Sequence, residues 1–252
     1  MQRSTSRILT THTGSLPRPK ALVDLLLKEV AAPRSTGAEL NAEIDRAVAE
    51  VVAQQMEYGI AIINDGEQGR TDYTVHVKDR LTGYDGPSAP PLGTGDAKEF
   101  PELAALLKPF ISPFQHRPAC TAALGWRDWG AAQVDIDRCK AATAKAGATE
   151  AFMTSPSPGQ IARFLKNEYY PNDEAYMFAL ADVMKREYDA IVAAGLVLQV
   201  DCPDLALSRH TVFAHLSLPE FRKVIAKHVE ALNHSLRDVP AERVRMHICW
   251  SS

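Results

Sequence analysis

Short apolar runs that end in polar or acidic residues alternate along this chain with longer stretches of helical period. Ile60-Ala61-Ile62-Ile63 runs into Asn64-Asp65-Gly66-Glu67, and Leu196-Val197-Leu198-Gln199-Val200 runs into Asp201. Such alternation marks repeated βα units rather than a sandwich or a helical bundle. Strands are predicted at 8–13, 60–63, 117–123, 148–153, 196–200 and 243–249, the third being the weakest pattern. Helices are predicted at 38–58, closed by Gly59, at about 133–146, and at 172–194, closed by Gly195. A further helix runs to Leu236, with Ser217 and Glu220 spaced for a capping box.

The last strand has a strict alternation. Val244, Met246 and Ile248 share one face and Arg245, His247 and Cys249 the other, so one face can pack on helices while the other looks into a site. A Gly/Pro-rich stretch at 83–96 breaks the βα rhythm and reads as an excursion over one face of the domain. Residues 154–159, Thr-Ser-Pro-Ser-Pro-Gly, read as the exit loop of the fourth strand. Six strands with intervening helices fit a doubly wound sheet or a (β/α)₈ barrel. The arithmetic favours an incomplete barrel, since two more units need on the order of a hundred residues.

Composition narrows the class. The 252 residues are 46% hydrophobic and 23% charged, enough for one large domain with a substantial core. Against 31 acidic residues stand 28 Lys and Arg, a formal charge of -3, so a basic nucleic-acid surface is not expected. Four scattered cysteines without a CxxC pair suit a reducing, cytoplasmic setting. No signal segment is visible, and no apolar run reaches the ~18 residues of a membrane helix.

The chemistry concentrates at predicted strand ends. Asp65 and Glu67 follow one strand and Asp201 and Asp204 another, so acids of two units can converge at one mouth and hold a cationic group. The same acids would also serve as strand terminators and helix caps; their joint placement puts Glu67 and Asp201 ahead of Asp65 and Asp204. Gly14-Ser15, after the first strand, offers N–H groups and a hydroxyl to a carboxylate or phosphate, although a tight turn also demands glycine. His247 and Cys249 project two soft donors from one face, half of a zinc site. Cys202 or His12 are open alternatives for a third donor. Trp126, Trp129 and Trp250 are candidates for stacking on a flat ligand or for packing.

Five motifs in order carry a family resemblance. They are Thr10-Thr11-His12-Thr13-Gly14-Ser15-Leu16-Pro17-Arg18-Pro19, Asp65-Gly66-Glu67-Gln68-Gly69-Arg70, Thr154-Ser155-Pro156-Ser157-Pro158-Gly159, Gln199-Val200-Asp201-Cys202-Pro203-Asp204 and Met246-His247-Ile248-Cys249-Trp250. Together they resemble the catalytic domain of cobalamin-independent methionine synthase over nearly the whole chain. The resemblance implies an α/β TIM-type barrel forming one catalytic domain over 1–252, with about six of the eight strands present. It implies zinc as cofactor, a homocysteine-like thiol as acceptor and a methylated folate as donor, with no nucleic-acid or membrane partner. Zinc would lower the thiol pKa and the thiolate would attack the methyl carbon.

By the same resemblance His247 and Cys249 are the first two zinc ligands, Glu67 and Asp201 bind the amino group, and Gly14 and Ser15 contact the carboxylate. In the family a glutamate and a second cysteine lie downstream of the His-x-Cys strand, so a C-terminally shortened member with weak zinc binding and little activity is expected. Other thiol alkylations on this scaffold, such as epoxide opening by coenzyme M, are the alternative enzyme reading. A zinc-free barrel related to uroporphyrinogen decarboxylase and an inactive barrel complete the alternatives.

Overall fold

The computed structural model describes residues 1–32, 35–89, 99–107 and 116–249. Its centre is a three-stranded parallel sheet whose spatial order follows the sequence: β1 (Phe152–Pro156), β2 (Val197–Asp201) and β3 (Val244–His247). Phe152 pairs with Val197 and Pro156 with Asp201, while Gln199 pairs with Arg245 and Asp201 with His247. Parallel neighbours joined by helical crossovers are the βα arrangement that the alternating pattern predicts.

The helices are α1 (Lys20–Ala31), α2 (Gly37–Glu57), α3 (Val77–Arg80), α4 (Pro101–Leu107), α5 (Trp129–Ala146), α6 (Pro158–Phe164), α7 (Asp173–Ala193) and α8 (Leu218–Ser235). Local chemistry fixes several starts. Asp128 caps α5 by accepting from Ala131 N at 3.0 Å, and Asn172 caps α7 by accepting from Ala175 N at 2.8 Å. Glu220 reaches back to Ser217 N at 2.8 Å, the return arm of the capping box expected at α8. β1 and β2 are buried along their whole length, and one cluster joins Ile63, Met153, Leu198 and Val200 to Val48, Ile136, Leu180, Met184 and Tyr188 on α2, α5 and α7. None of the described helices is long and apolar enough to cross a membrane, and all four cysteines are free.

Three predicted strands form outside the regular ladder or not at all. The 60–63 run makes a single parallel bridge, Ile63 to Ala151, and its outer neighbour at 8–13 is held by Thr10 O accepting from Ala61 N and Ile62 N at 3.0 Å each. Residues 117–126 pair antiparallel with 81–89 through Leu81–Trp126 and Ser88–Pro118 bridges, so the predicted third strand is the return arm of the Gly/Pro-rich excursion. Its one parallel bridge, Cys120 to Asn167, reaches another loop. Residues 90–96 of the excursion lie outside the described residues. The exit loop at 154–159 is also shorter than expected, because Thr154 to Pro156 continue β1 and α6 begins at Pro158. On the β3 face expected to pack on helices, Val244 packs against the main core, while Met246 and Ile248 are open, 50% and 49% exposed.

Candidate functional site

Glu67 sits in a turn whose backbone is held at each step. Asn64 Oδ1 accepts from Gly66 N at 2.9 Å, Asp65 Oδ1 from Glu67 N at 3.0 Å, and Glu67 O from Arg70 N at 3.1 Å. The result is φ 54° at Glu67, the one non-glycine positive φ among the described residues. Backbone of this kind costs about 1–3 kcal/mol and persists only where its surroundings over-determine it. The side chain is 1% exposed; one oxygen accepts from Thr154 Oγ1 at 2.8 Å and the other from the Ser15 hydroxyl.

Two arginines brace this turn. Arg18 Nη2 donates to Glu67 O at 2.8 Å and to Arg70 O at 2.6 Å, while the fully buried Arg70 donates through Nη1 to Thr154 O at 2.7 Å and Oγ1 at 3.0 Å. Burial works against the Arg70 charge, but Asp65, Glu187, Glu67 and Asp135 outweigh it and hold its pKa above the ordinary value. Gly14 lies against the same carboxylate. A Cβ there would stand 2.7 Å from Glu67 Oε1 and 3.0 Å from Thr154 Cγ2, so a side chain cannot occupy this point without displacing the acid.

Asp201 closes β2 and is 4% exposed. Burial raises its pKa to about 7, with the Glu67 charge adding to the rise and a hydrogen bond from Gln199 opposing it. Carboxylates of two separate βα units are therefore within electrostatic reach of one another, and a cation beside both would offset their repulsion. His247 and Cys249, alternate residues at the end of β3, are both partly buried. Burial and then Arg245 lower the His247 pKa, leaving a neutral imidazole near Glu67. Cys249 lies within electrostatic reach of Tyr73 and Arg163.

An imidazole and a sulfur donor two residues apart at the end of β3 suit a soft or borderline metal ion. They amount to two donors, and among the described residues no group of three His, Cys, Asp or Glu side chains could hold a metal ion. His12 turns to α2, with Nε2 2.8 Å from Gln55 Oε1, and Cys202 is buried with its thiol on Val200 O at 3.6 Å; neither joins the pair.

Asp65 and Asp204 are committed elsewhere. Asp65 shapes the turn below Glu67, and Asp204 accepts from Ser157 Oγ at 2.7 Å and meets His228 Nδ1 at 2.8 Å. Trp126 and Trp129 pack edge to face, with Arg186 4.1 Å over the Trp129 ring; Trp250 lies outside the described residues. Arg18, Arg70, Thr154, Gln199 and Arg245 are site residues that the sequence reading gave no role. All five lie inside or beside its motifs, but only the contacts between units reveal what they do.

No protein-family model matches the chain. Curated homologues do: methionine synthase of Saccharolobus solfataricus is 25% identical over 242 residues, 96% of this chain and 62% of that protein. Methionine synthase of Sulfolobus acidocaldarius is 23% identical over 242 residues, 96% of this chain and 61% of that protein. The chain thus spans about three fifths of the length of these relatives. Among solved structures, a B12-independent methionine synthase from Shewanella sp. W3-18-1 in complex with selenomethionine matches with a TM-score of 0.65 at 19% identity, over 96% of this chain and 61% of that one. A putative vitamin-B12-independent methionine synthase from Listeria monocytogenes gives 0.64 at 20%, over 97% and 67%. The α/β fold is shared with both.

Proposed function

We propose that this chain carries the amino-acid half of a cobalamin-independent thiol methyltransferase site, in which a homocysteine-like thiol receives a methyl group from a methylated folate to give methionine. The observation that carries the reading is the convergence of Glu67 and Asp201, two buried carboxylates from separate βα units, beside Gly14 and the His247–Cys249 face. The homologues named methionine synthase support it independently. The reading sets the site at the C-terminal mouth of a TIM-type barrel in the cytoplasm, where unpaired cysteines stay reduced.

The residues divide the work by charge. An ammonium between Glu67 and Asp201 offsets their mutual repulsion and draws Asp201 to its ionised form. The substrate carboxylate lies toward Gly14 and Ser15, where the Ser15 hydroxyl exchanges its bond to Glu67 for the ligand. Held at both ends, the amino acid directs its sulfur toward β3. His247 and Cys249 would hold zinc, which when bound supplies the positive charge that lowers a thiol pKa. The buried walls from Thr154 and Arg70 keep Glu67 in place while the ligand binds.

The test combines metal content and thiol methylation in wild type, His247→Ala, Cys249→Ala, Glu67→Gln and Asp201→Asn. Zinc bound weakly by wild type and lost from the first two variants, with the low homocysteine methylation of wild type abolished in all four, is the expected result. Equal zinc content across the set would defeat the metal assignment. Alkylation of coenzyme M or another thiol by a member of an electrophile panel, in preference to methylation of homocysteine, would favour a different thiol alkyl transfer.

A further inference from the structure

Gln199 and Arg245 are cross-strand partners on β2 and β3, and their side chains share the inward face. Gln199 is 2% exposed. Its Nε2 donates to Asp201 Oδ1 at 2.7 Å and to Thr13 O at 2.5 Å, and its Oε1 accepts from Arg245 Nε at 2.8 Å. Reversing the amide would turn all three contacts repulsive, with oxygen facing two oxygens and NH₂ facing the guanidinium. The amide therefore has one orientation.

Arg245 fixes the other end. Nη1 donates to Thr11 Oγ1 and Nη2 to His12 O, both at 3.1 Å, while the guanidinium carbon stands 3.5 Å from the centroid of the buried Phe152 ring. A planar fork with donors on all three nitrogens reaches three acceptors in two segments, β2 and the 11–13 segment, which a lysine ammonium cannot reproduce. Through these bonds one continuous relay runs from the 11–13 segment, across β3 and β2, to the Asp201 carboxylate. That segment leads directly into Gly14 and Ser15.

We propose that Arg245 and Gln199 are positioning residues that hold Asp201 and the Thr13–Gly14 backbone at a fixed separation, so that the pocket selects thiols carrying both an ammonium and a carboxylate. This rests on the reading of Glu67, Asp201, Gly14 and Ser15 as an amino-acid clamp. It adds to it the residues that set the clamp's span. Neither touches the reacting sulfur; each acts through the groups it holds.

The test compares binding of homocysteine and of 4-mercaptobutanoate, which lacks only the α-amino group, to the full chain by calorimetry. Wild type is expected to prefer homocysteine. Gln199→Leu should weaken homocysteine binding on the order of 10-fold and change mercaptobutanoate binding little. Arg245→Lys, which keeps the charge and serves if Gln199→Leu does not fold, should shift the preference in the same direction. Phe152→Leu, which removes packing under the guanidinium and none of the hydrogen bonds, should lower stability and leave the preference intact.

Variants at 199 and 245 that keep the wild-type preference, or lose both ligands equally, would overturn the positioning role while leaving the clamp standing. Wild type without any preference would overturn the clamp itself, and the relay with it.

Discussion

Thr154 Oγ1 donates to Glu67 Oε1 across 2.8 Å, both atoms buried, and so ties β1 to the turn that follows the preceding unit. The same hydroxyl accepts from Arg70 Nη1 at 3.0 Å, which places one small side chain between an acid and a base. Thr154→Val preserves shape and deletes both bonds. Buried charged groups that lose a partner cost about 1–3 kcal/mol each, so urea denaturation should show a loss of that order. Homocysteine affinity should fall as well, because Glu67 is freed to turn. Unchanged stability would mean that Arg70 and Glu67 find other partners.

Gly14 makes a sharper prediction because its two neighbours are pinned. An added methyl would meet Glu67 Oε1, which Thr154 and Ser15 hold from either side. Gly14→Ala should therefore impair ligand binding far more than folding. Gly147, at the C-terminal end of α5 with φ 67° and open space around its Cα, is the control. Gly147→Ala should cost about 1–2 kcal/mol and leave binding untouched. Equal effects on binding from the two would remove the argument for close approach at Gly14.

How much of this was legible in the sequence depended on the range of the interaction. The starts at Asn172 and Ser217 were readable because their signals are local, acting within three residues, whereas the Asp128 cap that starts α5 at Trp129 was missed by an expected start near 133. β2 and β3 were readable from an apolar run interrupted only by Gln199 and from a strict alternation. The 117–123 run misled, because its partner is the 81–89 arm rather than a neighbouring βα unit, and pairing is not written in a run's composition. In the site, acids at strand ends pointed to Glu67 and Asp201. Alternation put Arg245 on the inward face of its strand, but nothing local gave Thr154, Gln199 or Arg245 its task, since each has a partner 87, 186 or 234 residues away.

Asp204 and His228 provide a buried pair that stands apart from the clamp. Gly159 on α6 packs so closely on both that a Cβ would overlap Asp204 Oδ2 and His228 Nδ1. Gly159→Ala should therefore lower the denaturation midpoint strongly, within the roughly 1–3 kcal/mol typical of overpacking or above it. The variant's surviving folded fraction should keep the wild-type preference between homocysteine and its des-amino analogue. A change in that preference would assign Asp204 to the ligand site rather than to the packing of α6 against α8.

His76 should govern part of the acid sensitivity of the fold. It is buried, its Nδ1–H donates to Asp72 O at 2.8 Å, and Nε2 has no hydrogen-bond partner among the described residues. Burial, followed by Arg80, Arg70 and Lys78, pushes its pKa well below the ordinary 6.5; only the Asp72 carbonyl opposes. Above that value folded and unfolded chains both carry a neutral ring, so His76 contributes no pH dependence. As pH falls below 6.5, the unfolded chain takes up a proton that the folded chain refuses, and stability drops by up to about 1.4 kcal/mol per pH unit. The drop ends only where the folded ring itself titrates. His76→Asn retains a hydrogen-bond donor and cannot titrate in this range. Urea denaturation of both proteins at pH 8, 6.5 and 5 should show the variant losing ground least on acidification, whatever its stability at pH 8; parallel pH profiles would exclude His76 as the responsible group.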